Sequence, residues 1–455
     1  MGDDLVTVNG FYDNGFWGTI FNPINAQMGK VRPVSTLLLY ICFRLGKLDY
    51  SVYVTINRII LGIVCYFIYV LLCKIKLDKI SSYFVALLII STPFSTYGVW
   101  QMIGICEITS LCCSMLCFYC VWQMIWSDES KQISKYVLIC TLVFSVMIFN
   151  AERFMYFVAI FCFVVFFLKI PNWKEKVSYS VLFFFPIIVR YLVIKLAGGN
   201  SLNTGRGDTV NLFNTIVQYA IKGVVNLFGF SIGQQWHGGF DYYALPVFIL
   251  IIGSIFFFIG IGVFFVSLSE TIKTKNKSTY ELLIMFLFSF SSLFSYALVG
   301  MTHGEDRFLW ISYLFLIMGI AKYFYNNCKK QIFIVFSFCL LFMNWYYVDN
   351  KQQVNFRYSQ EMAQTCYDNI TVLLEEKSDV DYFVCVKPGD YNWVFDNEVF
   401  FRYYFKDNVE VFYYDSFEQI DYSIIDENTI VVYPDENFEV PYAVTACWID
   451  DLNVK

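Results

Sequence analysis

Charged side chains are scarce in this sequence, 15% of 455 residues, and several of them gather in short turns that pair an acid with an arginine. One turn is Asn150-Ala151-Glu152-Arg153; another runs His303-Gly304-Glu305-Asp306-Arg307. Asp3, Asp4 and Asp13 lie near the start, and Lys30 and Arg32 close that segment. Glu107 opens an apolar run, while Arg190 and Lys195 stand near the end of another. A carboxylate can take the proton from a hydroxyl nucleophile. Arginines hold phosphate through paired, charge-assisted hydrogen bonds. Together they suit transfer from a phosphate-linked donor. Any one of these residues could simply mark an interface where water reaches. The set as a whole is harder to explain that way, because charges at membrane depth are costly and short turns do not require acid–base pairs.

Other chemistries lack their residues. There is no Gly-rich nucleotide loop, no metal-ligand spacing and no Ser/His/Asp signature. With only His237 and His303 in the chain, a His-built metal centre is disfavoured. No cofactor and no nucleic-acid partner are expected.

The elements that must carry these groups are membrane helices. A hydrophobic share of 58%, with 20% aromatic residues, is more than a water-soluble core can hide. Apolar runs predict ten spans, near 53–73, 81–98, 107–126, 134–150, 153–168, 178–196, 246–267, 281–300, 305–322 and 332–349. The piece 34–46 is too short to cross and reads as a re-entrant or interfacial helix. Every alternate loop is rich in lysine: Lys74, Lys76 and Lys79; Lys131 and Lys135; Lys169, Lys174 and Lys176; Lys273, Lys275 and Lys277; Lys322, Lys329 and Lys330. Positive loops stay in the cytoplasm, so the acid–arginine turns, the loop 197–245 and the C-terminal tail are expected outside.

The tail differs in kind. Residues 351–455 hold 21 acids against 7 bases, a balance of −14 in a chain of −6, so the remainder carries +8. Residues 354–377 have helical spacing, and DYFVCVKP, VEVFYYD and NTIVVYP read as strands, which predicts a small α/β domain. One disulfide among Cys366, Cys385 and Cys447 is open; the other cysteines read as small apolar groups. Three regions follow: an outer segment 1–52, a membrane domain 53–349 with the long loop 197–245, and a soluble domain 350–455. The fold class is an all-α polytopic membrane protein with a small extracytoplasmic α/β domain.

The order of these motifs resembles the C-type superfamily of membrane glycosyltransferases (GT-C), in its bacterial dolichyl-phosphate-mannose-protein mannosyltransferase-like branch. The resemblance rests on Gly2-Asp3-Asp4-Leu5, Gly29-Lys30-Val31-Arg32-Pro33, Asn57-Arg58, Asn150-Ala151-Glu152-Arg153-Phe154, Glu305-Asp306-Arg307-Phe308 and a soluble tail. It covers roughly residues 1–350. Relatives often show Lys-Glu where this chain has Ala151-Glu152, and they carry one further span ahead of the position of Met1.

The resemblance implies a bacterial plasma-membrane transferase moving a sugar from a polyprenyl-phosphate donor to a cell-envelope glycan, lipid or protein acceptor. Asp3 or Asp4 would be the base. Arg32, Arg153 and Arg307 would contact the donor phosphate, with Arg190, Lys195, Glu107, Glu152 and His303 completing the substrate site. The loop 197–245 would be a substrate cover or an ordinary surface loop. A polysaccharide polymerase is the nearest rival enzyme, and a transporter or flippase of lipid-linked sugars the main alternative of another class. Transport would place polar groups near the bilayer midplane, which this sequence keeps apolar.

Overall fold

The computed structural model describes residues 2–22, 31–46, 49–167, 172–199, 212–230, 245–274, 276–298, 306–327, 330–349, 353–387, 399–405, 409–434 and 444–452. They form two compact units, residues 16–352 and residues 1–15 with 353–455. Helix α1 (Gly2–Ile20) is broken at Gly15, whose φ of 61° lies in the left-handed region that glycine tolerates.

The first unit is helical. Its elements are α2 (Pro33–Gly46), α3 (Tyr50–Lys74), α4 (Lys79–Ser91), α5 (Thr96–Trp100), α6 (Gly104–Trp126), α7 (Ser130–Asn150), α8 (Phe157–Phe167) and α9 (Trp173–Leu196). The set continues with α10 (Leu212–Leu227), α11 (Val247–Thr274), α12 (Lys277–Leu298), α13 (Trp310–Asn327) and α14 (Lys330–Tyr347). Side-chain caps fix several starts: Asp49, Asp78 and Asn172 accept from the backbone N–H groups that open α3, α4 and α9.

Six described stretches are long and apolar enough to cross a membrane: Ser51–Lys74, Gly104–Trp126, Ser130–Asn150, Trp173–Leu196, Val247–Thr274 and Arg307–Asn327. A seventh is the pair Lys79–Ser91 and Pro93–Trp100, bent by 58°. Pro93 explains the break, because it cannot donate a helical hydrogen bond and drives Thr92 into extended backbone. The predicted spans 153–168, 281–300 and 332–349 correspond to helices of 11, 22 and 18 residues.

Burial separates the centre of the unit from its rim. The Arg307–Asn327 stretch is 83% buried by its neighbours, against 28% for Val247–Thr274 and for Trp173–Leu196. Helix α13 is therefore the central strut, whereas α9 and α11 turn apolar side chains such as Phe184, Phe185 and Phe258 outward. In lipid that exposure carries no penalty. Trp310 begins the strut, donating from Nε1 to the carbonyl of Ile89 at 2.9 Å and lying over Gly98, where any Cβ would meet its ring at 2.8 Å.

Polar groups occupy two layers at opposite ends of these helices. At the lysine-rich end, buried Lys322 lies 3.2 Å from buried Glu281 and donates to the Ile75 carbonyl at 2.8 Å. That arrangement places a cation on the C-terminus of α3, where the helix dipole favours it. The other layer holds the arginine–glutamate groups.

The second unit contains α15 (Gln353–Glu376), α16 (Val399–Tyr404) and strands β1 (Tyr382–Val386), β2 (Glu410–Tyr414), β3 (Thr429–Pro434) and β4 (Val444–Trp448). The sheet order is β2-β1-β3-β4, with β1 parallel to β2 and β3, and β4 antiparallel to β3. One face buries Phe383, Cys385, Ile430 and Val432 against helical Cys366, Ile370 and Phe401. The other face buries Val384, Val386 and Val431 with Ile420 and Ile425. Cys366, Cys385 and Cys447 are free thiols. The small C-terminal sheet expected from the sequence is present. It gains β4, an antiparallel edge strand that the sequence pattern did not single out.

Candidate functional site

The polar layer opposite the lysines is assembled from residues far apart in sequence. Pro33 starts α2, a position where its missing N–H costs nothing, and Arg32 stands immediately before it. Helix α7 ends at Asn150, Ala151 is extended, and a single 3-10 turn, Glu152–Tyr156, carries Glu152 and Arg153. Glu107 lies in the first turn of α6, the end of a helix that favours an acid. Arg307 lies in the 3-10 turn Asp306–Leu309, just before the central strut.

These groups form two trios. In the first, Arg32 grips Glu152 with both arms of its guanidinium, Nε at 2.7 Å from Oε2 and Nη2 on Oε1. Arg190, from the C-terminal third of α9, places Nη2 3.5 Å from the same carboxylate and donates from Nη1 to the carbonyls of Val31 (2.8 Å) and Ile148 (3.0 Å). In the second, Arg153 pairs with Glu107 through Nη2, and Arg307 Nε lies 3.9 Å from the other oxygen of Glu107. Phe308 closes this trio, with the Arg153 guanidinium 4.0 Å and the Arg307 guanidinium 5.3 Å from its ring centre. Arg32, Arg153 and Arg307 are near enough to repel one another.

Each trio sets two cations against one anion, so both keep a positive surplus. Burial alone would push the Glu152 carboxyl up; Arg32 and Arg190 outweigh it and hold the carboxyl down to about 2. Glu152 is thus a fixed anion at neutral pH and a poor proton acceptor. Arg153 is nearly buried, and its Nε makes no hydrogen bond among the described residues.

No protein family and no curated protein matches this chain. Solved structures of the Archaeoglobus fulgidus oligosaccharyltransferase are similar at a low level. One, tethered with an acceptor peptide, aligns at 11% identity and a TM-score of 0.41, covering 88% of this chain and 60% of its own. Another, the archaeal oligosaccharyltransferase AglB in complex with an inhibitory peptide and a dolichol-phosphate, gives 12%, 0.41, 88% and 61%. This chain spans about 60% of the length of those proteins. Similarity at this level assigns no residue a role.

The structure brings together six of the ten residues singled out from the sequence: Arg32, Glu107, Glu152, Arg153, Arg190 and Arg307. Lys195, on the last turn of α9, lies 5.7 Å over the Tyr191 ring. His303 falls outside the described residues, as does most of 197–245. Asp3 and Asp4 lie in the first turn of α1, in the other unit, and their side chains are outside what the structure describes.

Asn150, given no role of its own in the sequence analysis, ties elements of the layer together. Buried Asn150 donates from Nδ2 to the Cys106 carbonyl and to Ser110 Oγ, both at 2.7 Å, and its Oδ1 accepts from Ser35 Oγ at 2.9 Å. One amide therefore joins α2, α6 and α7 directly beside Glu152. A signal for it was present: an asparagine closing an apolar helix must find partners in the protein when lipid offers none. Nearby, Asn57 donates to the Gln101 carbonyl at 2.6 Å and Arg58 lies 4.9 Å over Trp100.

Proposed function

We propose that this chain is a polytopic membrane glycosyltransferase, spanning the bilayer about ten times, that takes a sugar from a polyprenyl-phosphate donor at the non-cytoplasmic face. The observation that carries the reading is the pair of arginine–glutamate–arginine trios at one end of the helical unit. Each glutamate orients two guanidiniums without cancelling them, and oriented arginines in a partly dehydrated layer suit a lipid-borne phosphate. Arg32, Arg153 and Arg307 contact the donor; Glu107 and Glu152 orient them. Asp3 or Asp4 accepts the proton of the acceptor hydroxyl, which belongs to a cell-envelope glycan, lipid or protein. The resemblance in motif order supports the same assignment, the bacterial plasma membrane as its place, and an extracytoplasmic tail.

Binding of undecaprenyl phosphate to the purified full-length protein tests this reading. The native protein is expected to bind it more tightly than undecaprenol, and Arg153→Ala to weaken binding about tenfold or more, the loss of one charge-assisted contact. Equal affinity for the phosphate and the alcohol in the native protein rejects a phosphate site. Arg307→Ala provides the same readout should Arg153→Ala fold poorly.

A further inference from the structure

Arg190 has no exposed surface, whereas the side chain of Arg32, joined to it through Glu152, is 35% exposed. No ligand reaches a guanidinium so enclosed. Its Nη1 instead ties together two backbone segments, the Val31 carbonyl just before Arg32 and the Ile148 carbonyl near the end of α7. Nη2 faces the carboxylate that Arg32 grips.

We propose that Arg190 is a positioning residue that acts on the donor phosphate only through Arg32, fixing where Arg32 stands and preserving the charge it presents. The proposal rests on the phosphate-site reading above. Position follows from the Val31 bond, which anchors the peptide unit that carries Arg32. Charge follows from counting: Arg32 with Glu152 alone is a neutral pair, and Arg190 restores a surplus of one. A buried cation that shares a carboxylate thereby leaves the exposed cation free to attract an anion. Burial supports this division of work. Arg190 lies six residues from the C-terminal end of α9 with no exposed surface, where an arginine without an anion beside it would be costly.

The test is a double-mutant cycle on the full-length protein, read as affinity for undecaprenyl phosphate together with thermal stability. Arg32→Ala alone tests the parent reading, because it removes the exposed contact. Arg190→Gln is expected to weaken binding about tenfold, since it leaves Arg32 neutralised, and Arg190→Lys to recover part of that loss by keeping the charge. In the Arg32→Ala background either change at 190 is expected to cost no further affinity. Losses that multiply in the double variant overturn the proposal, because they mean that Arg190 touches the ligand itself. A lowered melting temperature with unchanged affinity also overturns it, by reducing Arg190 to a purely structural role. Should Arg190→Gln not fold, the cycle built on Arg190→Lys carries the same prediction. If Arg32→Ala binds as the native protein does, the phosphate-site reading falls first and this proposal with it.

Discussion

Replacing Glu152 by glutamine is the sharpest perturbation of the charged layer, because the carboxylate is only 3% exposed and faces two guanidiniums. It lies in the turn after α7, outside the spans. Its folded value of about 2 against an ordinary 4.5 corresponds to about 3 kcal/mol at neutral pH. The glutamine also leaves Arg32 and buried Arg190 facing each other without an anion, and breaking a buried pair typically costs roughly 3–5 kcal/mol. At roughly 2 °C per kcal/mol for a domain of this size, the melting temperature in detergent should fall by on the order of 6–10 °C. The pH dependence has a definite sign. A depressed carboxyl stabilises the fold above its ordinary value and loses that contribution as pH falls through its folded value. The native protein should therefore lose stability between about pH 4.5 and 2, and the glutamine variant should show a smaller loss across the same window. Thermal unfolding followed by tryptophan fluorescence at a series of pH values reads both effects. A variant that melts within about 1 °C of the native protein, with the same acid profile, refutes the two-arginine account of Glu152.

The remaining predictions concern the base and the topology. Asp3→Asn or Asp4→Asn is expected to abolish sugar transfer while donor-lipid binding stays nearly intact, since general-base assistance contributes about 10²–10⁴-fold. Full transfer by the double variant eliminates both as the base. Cysteines introduced at Lys275 and Tyr391, in a background without reactive thiols, should label from opposite sides of intact cells, with position 391 reached from outside. Labelling of position 275 from outside rejects the lysine-based orientation.

The helices were legible because lipid imposes a simple rule of length and apolarity. The expected 107–126 and 178–196 lie inside Gly104–Trp126 and Trp173–Leu196, and 134–150 lies inside Ser130–Asn150. The run 81–98 was less faithful, since hydropathy averages over Pro93, where the backbone turns by 58°. Within the candidate site, sequence spacing picked out residues that the structure brings together, but it paired them differently. Glu152 and Arg153 are neighbours in the chain, and side chains one residue apart on a helical turn point in different directions. The structure instead joins Glu152 to Arg32, 120 positions away, and Arg153 to Glu107, 46 positions away. Such pairs depend on how helices stack, which no local window records. Asn150 was quoted only as part of its motif and given no role, for the related reason that its three partners come from other helices.

The central strut is tethered at both extremities. At one end stand Trp310, bonded to the Ile89 carbonyl, and Arg307 beside Glu107; at the other, Lys322 is held by Glu281 and the Ile75 carbonyl. Sliding α13 by even one helical turn, about 5.4 Å, would break all of these attachments at once. Axial sliding of α13 would therefore be costly. A rearrangement of this unit would meet less resistance at the rim, where Val247–Thr274 and Trp173–Leu196 are only 28% buried, than at the strut. The motion would resemble a door on its post more than a plunger in its barrel.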